Sequence, residues 1–144
     1  GQLKRAERYR KGVLNGEVFE YDSTGIEILK ATYSRGRKEG DWYYAYGDHI
    51  EKGFYTMDER DGKWEEFYTS GKKRYTGTFK DGEPQKIHKL YHDNGQLFKR
   101  MKFRSGRKHG KWYFYNKKGV VIETQTYKYD KLIVVNGEAV KEKK

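Results

Sequence analysis

The chain has 144 residues, with 32 Lys and Arg against 21 Asp and Glu and no Cys, which excludes disulfides and thiolate metal sites. No stretch reaches the roughly 18 apolar residues that a membrane-spanning helix needs. Leu, Ile, Val and Phe supply only 26 residues, a share that at net charge +11 belongs to disordered chains, but fourteen Tyr, three Trp and 17 Gly beside a single Pro point to aromatic packing punctuated by turns.

Internal repetition supplies the frame. Gly1, Tyr9 and Gly12 fit the second half of a unit, so residues 1–15 form a half-unit. A chain that opens in mid-repeat carries the expectation that an upstream piece, such as a cleaved targeting segment, was removed and that an exported form exists; the compartment is otherwise open. Full units follow at 16–39, 40–61, 62–85, 86–109 and 110–133, opened by Gly16, Gly40, Gly62, Lys86 and Gly110, and a degenerate tail covers 134–144. Two positions after each opening residue stand Val18, Trp42, Trp64, His88 and Trp112, and five after it Tyr21, Ala45, Phe67, Tyr91 and Tyr115. A central glycine follows at Gly25, Gly47, Gly71, Gly95 and Gly119; Gly47 comes two residues early, a deletion in the first half of its unit. Eight residues beyond these glycines lie Tyr33, Tyr55, Phe79, Phe103 and Tyr127, and eleven beyond them Gly36, Asp58, Gly82, Gly106 and Asp130.

Two runs of seven to nine residues per unit suit strands and are short for helices. The second run alternates, so that Leu97, Lys99, Met101 and Phe103 share one face. The first run does not: the ring two places in and the ring five places in have opposite parity, which means either that both faces are covered or that a bulge brings both rings to one side. Sequences such as Asp93-Asn94-Gly95 and Lys117-Lys118-Gly119 place a tight hairpin turn at the central glycine, with positive φ at Gly95 and Gly119 and a glycine-bounded connection at the other end. Gly53 and Gly77 fall inside strands and are expected to be extended, leaving room for close packing. The predicted fold is a single all-β domain: about twelve short antiparallel strands in an up-and-down meander, forming one elongated twisted sheet. A propeller is disfavoured because the unit holds two strands, not four.

The pattern G-x-W-x-x-Y-x-x-x-G followed by an aromatic and then Asp-Gly or Ser-Gly, clearest from Gly110 to Tyr127 and from Gly62 to Gly82, resembles the MORN-variant repeat common in bacterial proteins. The resemblance implies a binding or scaffolding role: such families include proteins labelled as antitoxins, and related arrays are associated with scaffolding and acidic phospholipids. Lys86 and His88 in place of Gly and Trp, and Ala45 in an aromatic slot, depart from the pattern.

No nucleophile motif, phosphate loop or paired-carboxylate arrangement is present, so no catalytic residue, cofactor or small-molecule substrate is assigned. His88 and His92, four apart on one predicted strand face, have a spacing that two metal ligands can share, but no third ligand lies near and His88 fills a Trp slot. Asp58, Glu59 and Asp61 bound a connection without calcium-loop spacing, and no metal site is assigned there. The rings Trp42, Trp64, Trp112, Tyr21, Phe67, Tyr91 and Tyr115 form either an interaction face or a core; recurrence at fixed repeat positions favours a core of rings stacked from hairpin to hairpin.

Residues 1–72 carry 13 basic against 14 acidic side chains and residues 73–144 carry 19 against 7, so the whole excess lies in the second half. Lys99, Arg100, Lys102, Arg104, Arg107, Lys108 and Lys111 form a candidate polyanion site, split by alternation between two faces and the turns. A solubilising role for exposed lysines competes with it. The expected function is non-catalytic: a protein-interaction or scaffolding module whose partner is another protein, with binding of an anionic lipid surface, glycan or nucleic acid through the second half as the alternative.

Overall fold

The computed structural model describes residues 4–141; Gly1, the first slot of the half-unit, lies outside them. All regular structure there is β. In chain order the strands are Lys4–Ala6 (β1), Tyr9–Arg10 (β2), Val13–Leu14 (β3), Gly16–Tyr21 (β4), Glu27–Ser34 (β5), Arg37–Ala45 (β6), His49–Thr56 (β7), Glu59–Arg60 (β8) and Gly62–Tyr68 (β9). Lys73–Lys80 (β10), Glu83–Tyr91 (β11), Leu97–Arg104 (β12), Arg107–Lys108 (β13), Gly110–Tyr115 (β14), Val121–Lys128 (β15), Lys131–Val135 (β16) and Glu138–Ala139 (β17) follow. Fifteen belong to one open sheet, whose path β1-β4-β5-β6-β7-β9-β10-β11-β12-β14-β15-β16-β17 is the expected meander; β2 and β3 pair separately. The strands beyond about twelve are short: β8 and β13 are the two-residue starts of β9 and β14, cut off by a bulge. In the degenerate tail, β17 returns on β16 through Asn136-Gly137.

The two kinds of turn are placed the other way round from the expectation. At the unit boundaries, Lys11-Gly12, Arg35-Gly36, Met57-Asp58, Asp81-Gly82, Ser105-Gly106 and Tyr129-Asp130 all have positive φ at both residues. This is the two-residue type I′ turn, whose twist matches that of the strands it joins. The central glycines close longer tips: the Asp22 N–H donates to the Ile26 carbonyl, and His92 to Gln96 and Asn116 to Val120 in the same way. Asp22 and Asn116 also accept the N–H of Ile26 and Val120 on their side chains. Gly95 and Gly119 have φ of 89° and 84°, as their turn requires. In the second unit the Tyr46 N–H reaches the His49 carbonyl directly, so the two-residue deletion shortens the turn and leaves β6 and β7 whole.

The residue that opens each unit is left-handed in all five, with φ of 109° at Gly16, 114° at Gly40, 73° at Gly62, 91° at Gly110 and 60° at Lys86. Each sits where a strand bulges, a place that glycine fills without steric cost and Lys86 does not.

The core is a ladder of rings on one face of the sheet. Trp42, Tyr55, Trp64, Phe79, His88, Phe103, Trp112 and Tyr127 follow one another with centroids 4.9 to 6.4 Å apart. The Trp column therefore does not stack on itself; each of its members is separated from the next by the aromatic of the second run. Val18, Leu29 and Ala31 continue the face at the N-terminal side. Trp64, His88 and Trp112 are buried. A Cβ on Gly53 would lie 2.2 Å from the Trp64 ring, and one on Gly77 2.2 Å from His88 Nδ1, which is why these two strand positions hold glycine. Bulges do occur before Tyr21, Tyr91 and Tyr115. Even so, Tyr21 stacks on Phe19 and Tyr115 on Tyr113, across the sheet from the ladder, so both faces carry rings.

Candidate functional site

Along the ladder each junction between units presents one repeated pair of positions, the fourth residue after a central glycine and the second residue before the next opening residue. The pairs are Leu29 with Lys38, Glu51 with Arg60, Tyr75 with Pro84, and Lys99 with Lys108. Lys38 lies 4.7 Å from the Trp42 centroid, Arg60 4.3 Å from that of Trp64, and Lys99 and Lys108 5.1 and 5.2 Å from that of Trp112. Cations are held here because the ring faces are negative and a long aliphatic stem covers them. Glu51 is buried, pairs with Arg60 at 2.6 Å, and accepts from Trp42 Nε1 and the Tyr46 hydroxyl at 3.3 Å each. Burial, reinforced by the Glu51 charge, holds the Tyr46 phenol above its ordinary range. At the fourth-to-fifth junction the counterpart of Glu51 is Lys99. Burial, followed by the Lys108 charge, pushes the Lys99 ammonium below the usual lysine range.

His88 replaces Trp by reproducing its hydrogen bond. Trp64 Nε1 donates to the Phe54 carbonyl and Trp112 Nε1 to that of Lys102, each ten residues back; His88 Nε2 meets the Thr78 carbonyl at the same offset, 2.9 Å away. Tyr75 fills the space a larger ring would take and bonds His88 Nδ1 through its hydroxyl. Burial holds the imidazole below its ordinary range. His92 is not on the same strand face: it lies beyond β11 in the tip, where Nε2 meets the Tyr115 carbonyl at 2.9 Å, as the Tyr68 hydroxyl meets that of Tyr91 one hairpin earlier. The two histidines are thus separate structural ties. Asp58 accepts the Lys38 N–H, tying the Met57-Asp58 turn to the preceding boundary, and Asp61 accepts the Thr56 hydroxyl across the same turn. Among the described residues no group of three His, Cys, Asp or Glu is placed to hold a metal.

The seven basic candidates divide as alternation requires. Lys99 and Lys108 stand on the ladder face. Arg100 and Lys111 lie over Tyr113 on the opposite face, at 5.8 and 5.4 Å, and Lys102 shares that face with Arg100. Arg104 and Arg107 flank the Ser105-Gly106 turn. Among the described residues none of the seven side-chain cations has a carboxylate oxygen within 4.0 Å of its charged nitrogens, whereas Arg60, Lys63 and Arg74 earlier in the chain are each paired.

Of the seven candidate rings, Trp42, Trp64 and Trp112 belong to the ladder. Tyr21, Phe67 and Tyr115 lie across the sheet, with Lys52 5.5 Å from the Phe67 centroid. Tyr91 contributes its carbonyl to the tie from Tyr68. The Trp partners, Tyr55, Phe79, Phe103 and Tyr127, were visible as a column in the sequence, but only the strand register couples them to the Trp column.

Among solved structures the chain is similar to a crystal structure of an S. aureus TarM mutant in complex with fondaparinux, alpha-GlcNAc-glycerol and UDP. The identity is 16% and the TM-score 0.38, over 76% of this chain and 19% of that one, so the chain spans about a fifth of that protein's length. No curated protein matches it. The MORN repeat variant matches residues 60–81 and 108–129, and each matched segment begins at the cation lying over a ladder Trp, Arg60 and Lys108. With the same slots recurring from Gly16 to Asp130, the chain carries MORN-variant repeats.

Proposed function

We propose that the chain is a non-catalytic interaction module that holds a partner protein along the sheet face opposite the aromatic ladder. The observation behind this is that the ladder occupies one face while, among the described residues, no second layer covers the other. That uncovered face carries Phe19, Tyr43 and Tyr113 with Lys30, Lys52 and Arg100 beside them, and exposes Phe54, Phe98 and Ile122. Rings flanked by cations on a preformed sheet face are the composition that anchors protein interfaces. An antitoxin-like role, with a toxin as the partner, is one form of this reading.

The test is to identify a partner by photo-crosslinking from position 98 and to rebuild the complex from purified components. Phe54→Asp and Phe98→Asp should each weaken it by roughly tenfold, with little change when salt is raised. Steeply salt-dependent binding unaffected by these substitutions would overturn the reading. It would favour the second one, electrostatic capture of an anionic polymer or lipid surface, which is motivated by the seven cations without carboxylate partners.

A further inference from the structure

The Glu51–Arg60 pair and the Lys99–Lys108 pair occupy the same place in the repeat. Glu51 and Lys99 are both four residues past a central glycine, and Arg60 and Lys108 both precede an opening glycine by two. Arg60 pairs across the sheet with Tyr55, and Lys108 with Phe103, so both cations project over the ladder at equivalent rungs. In the earlier junction a carboxylate and a guanidinium meet at 2.6 Å, the guanidinium lying over Trp64 and the carboxylate accepting from Trp42 Nε1. In the later one two ammonium groups flank Trp112, and Lys99 is also 5.0 Å from the Phe114 centroid and Lys108 5.2 Å from that of Tyr127.

Two like charges held against one ring repel, and the low dielectric of the ring surfaces strengthens that repulsion. Neither ammonium makes an ion pair among the described residues: Asp130 accepts the Lys108 backbone N–H, and Glu123 accepts a hydrogen bond from Gln125. The first of these junctions shows what the place accommodates, a carboxylate bonded to the cation that lies over the indole.

We infer that Lys99 and Lys108 form a carboxylate-binding site beside Trp112, which takes an Asp or Glu side chain of the partner protein in the position that Glu51 fills internally two junctions earlier. The inference rests on the reading that the partner is a protein, and it adds that the partner is acidic and reaches round to the ladder face near the fourth-to-fifth junction. Two ammoniums at one ring suit a carboxylate bridging them, each contact being a charge-assisted hydrogen bond in a partly desolvated place.

The test uses the full chain with a hexaglutamate peptide, a hexaglutamine peptide, inorganic phosphate and vesicles of anionic lipid as probes, following the Trp112 indole resonance by NMR. Hexaglutamate should shift that resonance and hexaglutamine should not. Lys99→Glu should weaken hexaglutamate binding by roughly tenfold or more, since it places an internal carboxylate beside Lys108 as Glu51 stands beside Arg60. The fold should survive, because this pair already exists in the same frame, and an unchanged or raised Tm shows it. Lys99→Gln, which removes one charge and adds none, should give a smaller loss. Lys63→Glu, an exposed cation in the first half, should change binding by less than about twofold. Equal losses in Lys99→Glu and Lys63→Glu, a Trp112 shift with phosphate or vesicles but not with hexaglutamate, or no shift with any probe would each overturn the site. Should Lys99→Glu retain the crosslinked partner while Phe54→Asp loses it, the site falls and the protein-interaction reading stands.

Discussion

Trp64 shows how much a single ring carries in a sheet with no second layer. It is 1% exposed, meets Tyr55 and Phe79 edge-on, lies against Gly53, and donates to the Phe54 carbonyl. Trp64→Ala removes ring contacts on two adjacent hairpins and leaves a cavity that neighbouring strands cannot close, so a loss of about 3–5 kcal/mol in urea unfolding is expected. The complementary change is Gly77→Ala, whose methyl would clash at 2.2 Å with His88 Nδ1 and at 2.5 Å with the Tyr75 hydroxyl. It should cost about 1–3 kcal/mol by overpacking, and Gly71→Ala, with open space but a left-handed φ, should cost less. His88 adds a pH dependence. Its folded-state pKa lies below the ordinary value, so the neutral imidazole favours the fold above about pH 6.5, and that contribution is lost as pH falls from there through the folded value. The urea midpoint should therefore drop between about pH 7.5 and 5.5, and His88→Gln should flatten that drop while lowering the midpoint at the higher pH.

The hairpin is the unit in which the sequence repeats, and its two ends use glycine differently. At the tips one left-handed glycine closes a longer loop, helped by an Asp or Asn side chain; at the boundaries two successive left-handed residues form a type I′ turn, and the first of them is never glycine. Asp58 and Asp130 take the second place because their side chains bond the Lys38 and Lys108 N–H groups of the preceding boundary, which links neighbouring hairpins. The strained member of the repeat is Lys86, at φ 60° in a slot that is otherwise glycine. Lys86→Gly relieves about 1–2 kcal/mol of steric cost and gives back part of it as unfolded-chain entropy, for an expected net gain of up to about 1 kcal/mol by urea midpoint. A loss of stability would mean that the Lys86 stem packs on the sheet strongly enough to outweigh its backbone strain.

Across the molecule the repeat is uniform in shape and unequal in charge. The first-half carboxylates Glu51, Glu65 and Glu66 each meet a cation, while in the second half Lys117 meets Asp93. If the basic half binds polyanions, neutralising Arg104, Arg107, Lys108 and Lys111 should reduce retention on heparin far more than neutralising Arg35, Arg37, Lys38 and Lys63. The sets are matched even at the ladder, since Lys38 lies over Trp42 as Lys108 lies over Trp112. Equal reductions would show that the column responds to net charge alone and that the excess serves solubility.

The repeat, the meander, the left-handed Gly95 and Gly119 and the tight packing at Gly53 and Gly77 were all legible in the sequence, because strand periodicity and glycine placement are local consequences of backbone geometry. Which rings touch was not, because parity names the face but not the neighbour. Cross-strand register and the bulges at the opening residues decide that Trp64 meets Tyr55 and Phe79 rather than Trp42. The same register sets Glu51 against Arg60 and Lys99 against Lys108, nine residues apart in each case, and converts a scattered run of basic residues into one pair of like charges on a single indole. Charge at a position is written in the sequence, but whether it is answered depends on which side chain the folded sheet brings beside it.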